Sequence, residues 1–271
     1  MDWSLALASQ EIGARIERGD GDWILSVEAA DLPRAEETIA LYERENPRGA
    51  WQWRQSFAAD QLEFHWGAIF WAIVLAAVYG WSTEFVAGAV EIGAMDNHAV
   101  ARGEWWRLFT AVTLHADLGH LVANLSTGLI LFGLAMAQYG PGPALLGSFL
   151  AGALGNGAGF IFYGVAHRGL GASGMVMGAL GMLGAQAFRH PGSGLAGHVA
   201  ARGAAAALLL FIFWGTTPGT DILAHAGGFI GGLAAGFLAG RAPPHRSINR
   251  QSLVAVWALL LLTWWLALRG R

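Results

Sequence analysis

The sequence predicts an all-α polytopic membrane protein of seven transmembrane helices, with a small soluble α+β domain before them. Two observations on the 271 residues lead to this fold class. Hydrophobic residues make up 55% and charged residues only 13%, which is about half the charge of a typical soluble domain. The charges are also concentrated near the start of the chain, and long charge-free runs follow, so the first part suits water and the second suits lipid.

Residues 1–64 form the predicted soluble domain, because they hold 13 of the 19 acidic residues and 6 of the 16 basic ones. We expect two strands, Leu5–Arg15 and Trp23–Val27, joined by a turn at Asp20-Gly21-Asp22. A helix should follow over residues 31–45, with an aspartate as its N-cap. A unit of this size is expected to be a cytoplasmic appendage of regulatory or stabilising use.

Residues 65–240 contain six predicted spans, which the family resemblance described below makes a six-helix core, and residues 241–271 contain a loop and a seventh transmembrane helix. A spanning helix requires about 20 mostly apolar residues. The second and third runs are divided by Tyr139-Gly140-Pro141-Gly142-Pro143, a strong helix breaker. The predicted spans lie near 66–86, 118–138, 144–165, 171–188, 202–217, 222–240 and 251–268.

The long segment 87–117 between the first two spans is charged and contains the pair Trp105-Trp106. Tryptophan favours the membrane–water boundary, so we expect short helices lying in the interface. Orientation follows from arginines in the short loops, which mark the cytoplasmic side. They predict a cytoplasmic N-terminus, in the plasma (inner) membrane. The arginines used are Arg189 and Arg202 after the fourth span, and Arg241, Arg246 and Arg250 after the sixth.

Several classes of function are disfavoured. The chain has no cysteine, which excludes disulfides, zinc–thiolate sites and cysteine nucleophiles. It contains no HExxH, Walker or dinucleotide-binding motif, and its histidines and carboxylates form no convincing metal site. The net charge of −3 disfavours nucleic-acid binding. No cofactor, metal or nucleic-acid partner is therefore expected.

The presence of four polar residues in the predicted spans requires an explanation, since polar groups in lipid are energetically costly. They are His120, Asn124, Ser173 and His225. Each lies near the start of the second, fourth or sixth span, and all three spans begin on the outer side in the predicted topology. The four side chains are therefore expected at one shallow depth below the outer surface.

Ser173 lies in Gly171-Ala172-Ser173-Gly174, followed by Gly178. Free N–H groups at a helix start stabilise negative charge, which suits a serine nucleophile. The same glycines also suit close helix packing, with the serine as a packing residue.

His225 precedes Gly228 and Gly232, which share one helix face. A neutral imidazole there could take the proton of Ser173 as a general base. A hydrogen bond to a neighbouring helix is the alternative. Asp221, one turn earlier, could orient the imidazole, but it suits a helix N-cap better.

His120 and Asn124 are four residues apart and so share a helix face. Both can donate hydrogen bonds, which suits a clamp for an oxyanion. Interhelical hydrogen bonding is the alternative role. His115 is given a supporting role, and the other six histidines are expected to be solvated.

These residues, taken together and in order, resemble the rhomboid family of intramembrane serine proteases, over about residues 65–240. The matching pieces are Trp106-Arg107, the pattern His115-xxxx-His120-xxx-Asn124, Gly171-x-Ser173-Gly174, and His225-xx-Gly228-xxx-Gly232.

The resemblance implies six helices around a water-filled cavity that opens to the outside, and a Ser–His dyad without a required aspartate. Ser173 would be the nucleophile and His225 the general base. His120, Asn124 and the Ser173 N–H would bind the oxyanion. His115 and Gly171 would support the site. Trp106-Arg107 would help to hold the first loop. The substrates would be transmembrane segments of other proteins in the lipid bilayer, cut near its outer face.

Two residues depart from the family pattern. Met136 stands where many members have a glutamate that ties the second span to the first loop, and Met177 stands where many have a tyrosine stacked on the histidine. Two other classes remain as alternatives: a catalytically silent chaperone or pseudoprotease on the same fold, and a transporter. A transporter would favour charges deep in the spans.

Overall fold

The computed structural model describes residues 2–18, 23–45, 63–164, 166–186, 195–216, 219–240 and 246–270. For residues 195–202, 204 and 214 it describes the backbone alone. The chain divides into two compact units, Met1–Gln61 and Leu62–Arg271. The turn expected at Asp20-Gly21-Asp22 lies outside the described residues.

The first unit contains the helices α1 (Asp2–Ser9) and α2 (Leu32–Glu45) and the antiparallel strands β1 (Ala14–Arg18) and β2 (Trp23–Val27). Its small core is formed by three buried side chains, those of Leu7, Ile12 and Ala35.

The expected strand Leu5–Arg15 was wrong over most of its length. Residues 5–9 are helical, and the strand begins only at Ala14. The helical part consists mainly of Leu and Ala, which are strong helix formers. The β-branched Ile16, a residue type that favours strands, lies in β1 beyond the expected end.

The second unit is dominated by long helices. α3 (Gly67–Gly80) continues into a π-helical turn, Trp81–Phe85. The others are α7 (Leu118–Tyr139), α8 (Pro141–Phe162), α9 (Ser173–Gln186), α10 (Leu195–Gly215), α11 (Ile222–Ala239) and α12 (Arg246–Arg269). Each predicted span is occupied by one of these helices. Only Gly140, at φ +82°, separates α7 from α8, and Pro141 takes the first helical position, where its missing N–H is tolerated.

Within the described residues, five of these helices are long and apolar enough to cross a membrane: α3 with its π-turn, α7, α8, α11 and α12. α9 and α10 are not among them, so the crossing of all seven remains a prediction. α10 and α12 begin seven and five residues before the predicted spans, since a helix can extend past its apolar run into polar residues such as Arg246 and Asn249.

The segment between α3 and α7 is built from short elements, as its composition predicted. They are α4 (Ala89–Gly93), β3 (Met95–Asp96), α5 (Asn97–Ala101), α6 (Arg107–Thr110) and a 3₁₀ turn, Ala111–Thr113. β3 pairs antiparallel with β4 (Arg168–Gly169), which lies between α8 and α9. This pairing fixes the first loop, residues 86–117, to the segment that leads into Ser173.

Candidate active site

Ser173 is the first residue of α9 and is half-buried. Gly171, two residues earlier, has φ +134°, a conformation that side-chain-bearing residues rarely adopt. Its N–H donates to the carbonyl oxygen of Ala111 at 2.9 Å. The chain therefore turns sharply into the helix, and the first N–H groups of α9, which have no partner within the helix, lie beside the serine.

His225 lies in the first turns of α11 and is 3% exposed. Its Nδ1 lies 2.8 Å from the carbonyl oxygen of Gly215 at the end of α10. A carbonyl oxygen can only accept, so Nδ1 must carry the hydrogen and donate it. In the neutral ring Nε2 is then unprotonated and holds the lone pair that a general base requires.

Backbone contact between α9 and α11 brings the serine and histidine segments together. A Cβ atom at Gly174 would lie 3.3 Å from the carbonyl oxygen of Ala224, and one at Gly228 would meet the backbone of Gly174. Ser173 and His225 are the chain neighbours of Gly174 and Ala224. The close packing predicted from these glycines is therefore present, and it holds the two segments in direct contact.

His120 and Asn124 of α7 lie beside the same turn. A Cβ at Gly171 would come within 2.7 Å of the His120 ring and 3.9 Å of the Asn124 amide nitrogen. Asn124 is 6% exposed and donates to the His120 carbonyl oxygen at 3.1 Å. The imidazoles of His120 and His225 are close enough to interact electrostatically. Both proposed clamp residues thus lie against the segment that carries Ser173.

His115 precedes α7 and is 1% exposed. Its ring lies edge-on to that of His120, with centroids 5.2 Å apart. Among the described residues neither ring nitrogen has a hydrogen-bond partner. Burial, helped by the neighbouring His120 ring and opposed by the Thr113 backbone, lowers the pKa of His115 to about 4. His115 is therefore a neutral ring packed behind His120.

Asp221 is the N-cap of α11, because its Oδ1 accepts from the Ala224 N–H at 2.9 Å. Its Oδ2 accepts from Nε2 of His167, also at 2.9 Å. The carboxylate is thus used by the cap and by His167 rather than by the His225 ring, whose Nδ1 donates to Gly215. His167 is not solvated as expected, since it is partly buried and also contacts Tyr163, with ring centroids 4.3 Å apart.

Arg107 is 8% exposed and holds the first loop together from inside. Its Nε donates to Glu104 at 2.7 Å, and its Nη1 donates to the carbonyl oxygens of Glu91 and Ala94 at 2.8 and 2.9 Å. Trp106 packs in a hydrophobic cluster that includes Leu114 and Trp264, and its indole nitrogen has no hydrogen-bond partner among the described residues. The contacts of both residues lie largely within the first loop.

Both methionines that depart from the family pattern are buried. Met136 is 1% exposed, and its sulfur would be 3.3 Å from a Cβ at Gly67, so it packs against the start of α3. Met177 is 3% exposed and belongs to the main hydrophobic core.

Three contacts that position the site were missed in the sequence. Asn97, 1% exposed, lies within hydrogen-bond distance of the carbonyl oxygens of Gly159, Tyr163 and Gly164, where α8 ends. Gly215 accepts from His225, and Trp264 of α12 donates to the first loop. An asparagine at the start of a short helix is an ordinary residue, and the other two contacts join parts of the chain 10 and 151 residues apart. No local pattern marks them.

These helices define a multi-pass membrane protein, with a serine and a histidine joined by tight helix packing at one end of the bundle. The Rhomboid domain family matches residues 102–242, just over half of the chain. The chain belongs to the rhomboid family.

The chain is similar to several curated members of that family. It is 41% identical over 95 residues to rhomboid protease GluP of Bacillus subtilis (strain 168), covering 35% of this chain and 18% of GluP. It is 37% identical over 87 residues to the putative rhomboid protease YdcA of the same strain, covering 32% of this chain and 43% of YdcA. RHOMBOID-like protein 1 of Arabidopsis thaliana is 29% identical over 180 residues, 60% of this chain and 42% of that protein. The chain thus spans less than half the length of these relatives.

Proposed function

We propose that this chain is an intramembrane serine endopeptidase that cleaves transmembrane segments near the outer face of the bilayer, with Ser173 as nucleophile and His225 as general base. The observation that carries the proposal is the hydrogen bond from His225 Nδ1 to the Gly215 carbonyl oxygen. It leaves Nε2 as the basic nitrogen, on a ring held beside the start of α9. The rhomboid proteases among its relatives support the same reaction.

In the first half of the reaction, Ser173 Oγ attacks the scissile carbonyl carbon while His225 Nε2 takes the hydroxyl proton. The carbonyl oxygen becomes an oxyanion. The proposed donors to it are the His120 ring, the Asn124 amide and the N–H groups at the start of α9. Collapse of the intermediate breaks the C–N bond. The proton on Nε2 is transferred to the leaving amine, and this amine fragment is the first product released.

In the second half, His225 Nε2 takes a proton from water, and the resulting hydroxide attacks the acyl-enzyme carbonyl. The same donors stabilise the second oxyanion. The ester bond then breaks, and the proton returns from Nε2 to Ser173 Oγ. Water must therefore reach a site between helices, which requires a polar cavity enclosed by the spans.

The proposed substrates are transmembrane helices that contain small, helix-breaking residues near the outer boundary. A helical peptide bond is shielded, because its carbonyl is hydrogen-bonded within the helix. Local unwinding must expose it before attack. Residues 65–240 would supply the protease core and residues 1–64 a cytoplasmic appendage.

The test is covalent labelling of the purified full-length protein by a fluorophosphonate, together with cleavage of a model transmembrane substrate in liposomes. Wild type should be labelled and active, whereas Ser173→Ala and His225→Ala should lose both signals. Ser126→Ala is a matched serine control, because Ser126 is exposed and, among the described residues, its hydroxyl bonds only to Val122 of its own helix, at 2.7 Å. His98→Ala is the corresponding control for an exposed histidine.

The same measurement decides between the protease and the catalytically silent alternative. A folded wild-type protein that takes no label and cleaves nothing would contradict the proposal and favour the silent reading. Cleavage by Ser173→Ala at the wild-type rate would also contradict it, and would place the nucleophile elsewhere.

We further propose that the N-terminus is cytoplasmic and that the site faces the outside of the plasma membrane. The natural absence of cysteine allows single cysteines to be introduced without background. A membrane-impermeant maleimide applied to intact cells should label His98→Cys in the first loop and should not label Arg189→Cys. The reverse pattern would invert the proposed orientation.

A further inference from the structure

The seventh long helix makes a specific contact with the first loop. Trp264 of α12 is 8% exposed, and its indole N–H donates to the hydroxyl oxygen of Thr113 at 3.2 Å. Thr113 is 5% exposed, and its hydroxyl donates in turn to the Thr110 carbonyl oxygen at 2.8 Å. A buried donor and a buried acceptor, 151 residues apart, are thus satisfied by each other.

The indole ring of Trp264 also fills a shaped space on the loop. A Cβ at Gly93 would lie 2.8 Å from the ring, and the ring of Trp81 meets it edge-on with centroids 5.0 Å apart. Leu114 packs in the same cluster. The tryptophan is therefore fixed on several sides, and its N–H holds Thr113 at a defined place.

The segment 110–115, which receives this contact, also touches the candidate active site. Ala111 accepts the N–H of Gly171, two residues before Ser173. His115, at the other end of the segment, packs against the ring of His120. A short, tightly bonded segment thus meets α12 and also contacts the turn before the serine and the proposed oxyanion clamp.

The opposite end of α12 is fixed as well. Asn249 Oδ1 accepts the N–H of Gly142 at 2.6 Å, at the start of α8. Between the two ends, Trp257 meets Phe70 of α3 with ring centroids 6.0 Å apart. α12 therefore has little freedom to slide past the bundle, and the position of Trp264 is defined relative to α3 and α8.

We propose that Trp264 is a positioning residue: through Thr113 it sets the place of segment 110–115, and thereby the geometry of the Gly171 turn and of the His115–His120 pair. This inference rests on the proposed protease function for its catalytic consequence. It assigns a role in the reaction to the seventh helix, which lies outside the 102–242 match to the family.

The test compares Trp264→Phe and Thr113→Val with Trp265→Phe. Trp264→Phe keeps an aromatic ring and removes the donor, whereas Thr113→Val keeps the shape and removes the acceptor. Trp265 is the matched control, because it is the next residue of α12, is 47% exposed and stacks only under Arg269 at 4.0 Å among the described residues. The assays are the fluorophosphonate labelling rate, kcat and KM for a transmembrane substrate, and Tm.

We expect Trp264→Phe and Thr113→Val to lower kcat and the labelling rate on the order of tenfold, because small misplacement of reacting groups slows a reaction strongly. KM should change less than twofold, since substrate binding is not touched. The double variant should lose no more than Thr113→Val alone, the non-additive result that a shared contact gives. Trp265→Phe should match wild type.

Equal kcat in Trp264→Phe and Trp265→Phe would overturn the inference while leaving the proposed function intact. A lower Tm in Trp264→Phe with unchanged kcat would overturn it too, because that result describes a structural contact alone. If wild type itself takes no label, the proposed function fails and the catalytic role of Trp264 fails with it. Amide hydrogen exchange at residues 110–115 and 171 then tests the positioning contact by itself. Faster exchange in Trp264→Phe than in Trp265→Phe would show that Trp264 still holds this segment. Equal exchange in the two variants would overturn the positioning role as well.

Discussion

The α-carbon of Gly228 faces the backbone carbonyl of Gly174, with no side chain between these two residues. The next turn repeats the arrangement, because Gly232 faces the backbone of Gly178. Ser173 and His225 are thus held by contact between two main chains. A side chain added in this seam has no space that a neighbouring rotamer could vacate.

Gly228→Ala should therefore separate the two helices and lower both stability and labelling. Overpacking of a rigid seam costs about 1–3 kcal/mol, and a shift of the serine relative to the histidine slows the reaction further. Thermal unfolding and fluorophosphonate labelling measure the two effects. Gly157→Ala is the control, because a Cβ there meets nothing within 4 Å. A Gly228→Ala protein with the Tm and labelling rate of Gly157→Ala would contradict this reading of the seam.

Asp221→Asn should retain labelling within about twofold of wild type, because Asp221 caps α11 and bonds His167 rather than the His225 ring. The asparagine keeps a cap acceptor. Loss of a true triad aspartate lowers the rate about 10⁴-fold, so the two roles are well separated. Asp221→Ala should lower stability by about 1 kcal/mol through the lost cap. A loss of activity on the 10⁴-fold scale in Asp221→Asn would instead favour a role for Asp221 as the third member of a catalytic triad.

Because of His115, the free energy of unfolding should fall as the pH is lowered from 6.5 to about 4. Burial lowers its pKa in the folded protein to about 4, whereas the unfolded chain takes up a proton near 6.5. Protonation of the unfolded state in this window favours unfolding as the pH falls, and the stability gained from a neutral His115 is complete only above 6.5. Across this window the contribution of His115 to the free energy of unfolding changes by on the order of 3 kcal/mol.

The measurement is Tm against pH for wild type, His115→Leu and His98→Ala. His115→Leu should flatten the fall in this window relative to wild type and to His98→Ala, which removes an exposed histidine instead. Parallel curves for wild type and His115→Leu would show that the ring is protonated as easily in the folded protein as in the unfolded chain.

Asn97→Asp should destabilise the protein more than its small change in shape suggests. The Asn97 amide serves the carbonyl oxygens of Gly159, Tyr163 and Gly164. A carboxylate in its place donates nothing and faces three acceptors. Gly159 and Gly164 each keep a backbone N–H partner, from Tyr163 and His167, so the main cost is a buried carboxylate that faces carbonyl oxygens without a donor. A buried polar group without its partner costs about 1–3 kcal/mol, and the negative charge increases this, so Tm should fall further in Asn97→Asp than in Asn97→Ala. An Asn97→Asp protein as stable as wild type would show that these contacts contribute little to stability.

The sequence predicted the long helices, and two of its candidate residues, His120 and Asn124, lie beside the Gly171 turn before Ser173. Charge-free runs mark lipid-facing helices, and Gly174, Gly228 and their neighbours mark close packing by spacing alone. Helix ends were less predictable, since Leu195 and Arg246 begin helices in stretches that are not continuously apolar. The strand placed at Leu5–Arg15 was wrong, because its Leu and Ala residues favour a helix more strongly than a strand.

Long-range polar contacts were beyond local pattern for a physical reason. Asn97, Gly215 and Trp264 are ordinary residues in their own segments, and they acquire a role only when distant parts of the chain meet. The preference for Asp221 as a helix cap, in contrast, rested on its position just before α11 and needed no knowledge of the fold. The cap bond to Ala224 confirms that preference.

The glycine seam between α9 and α11 separates rigid parts of the site from adjustable ones. Side chains change rotamer readily and lipids exchange around them, but neither process can separate two backbones that are in direct contact. The segments that carry Ser173 and His225 therefore behave as one rigid unit. The first loop, in contrast, is held by side-chain hydrogen bonds of Arg107, Asn97 and Trp264, so a single substitution can change its position relative to that unit.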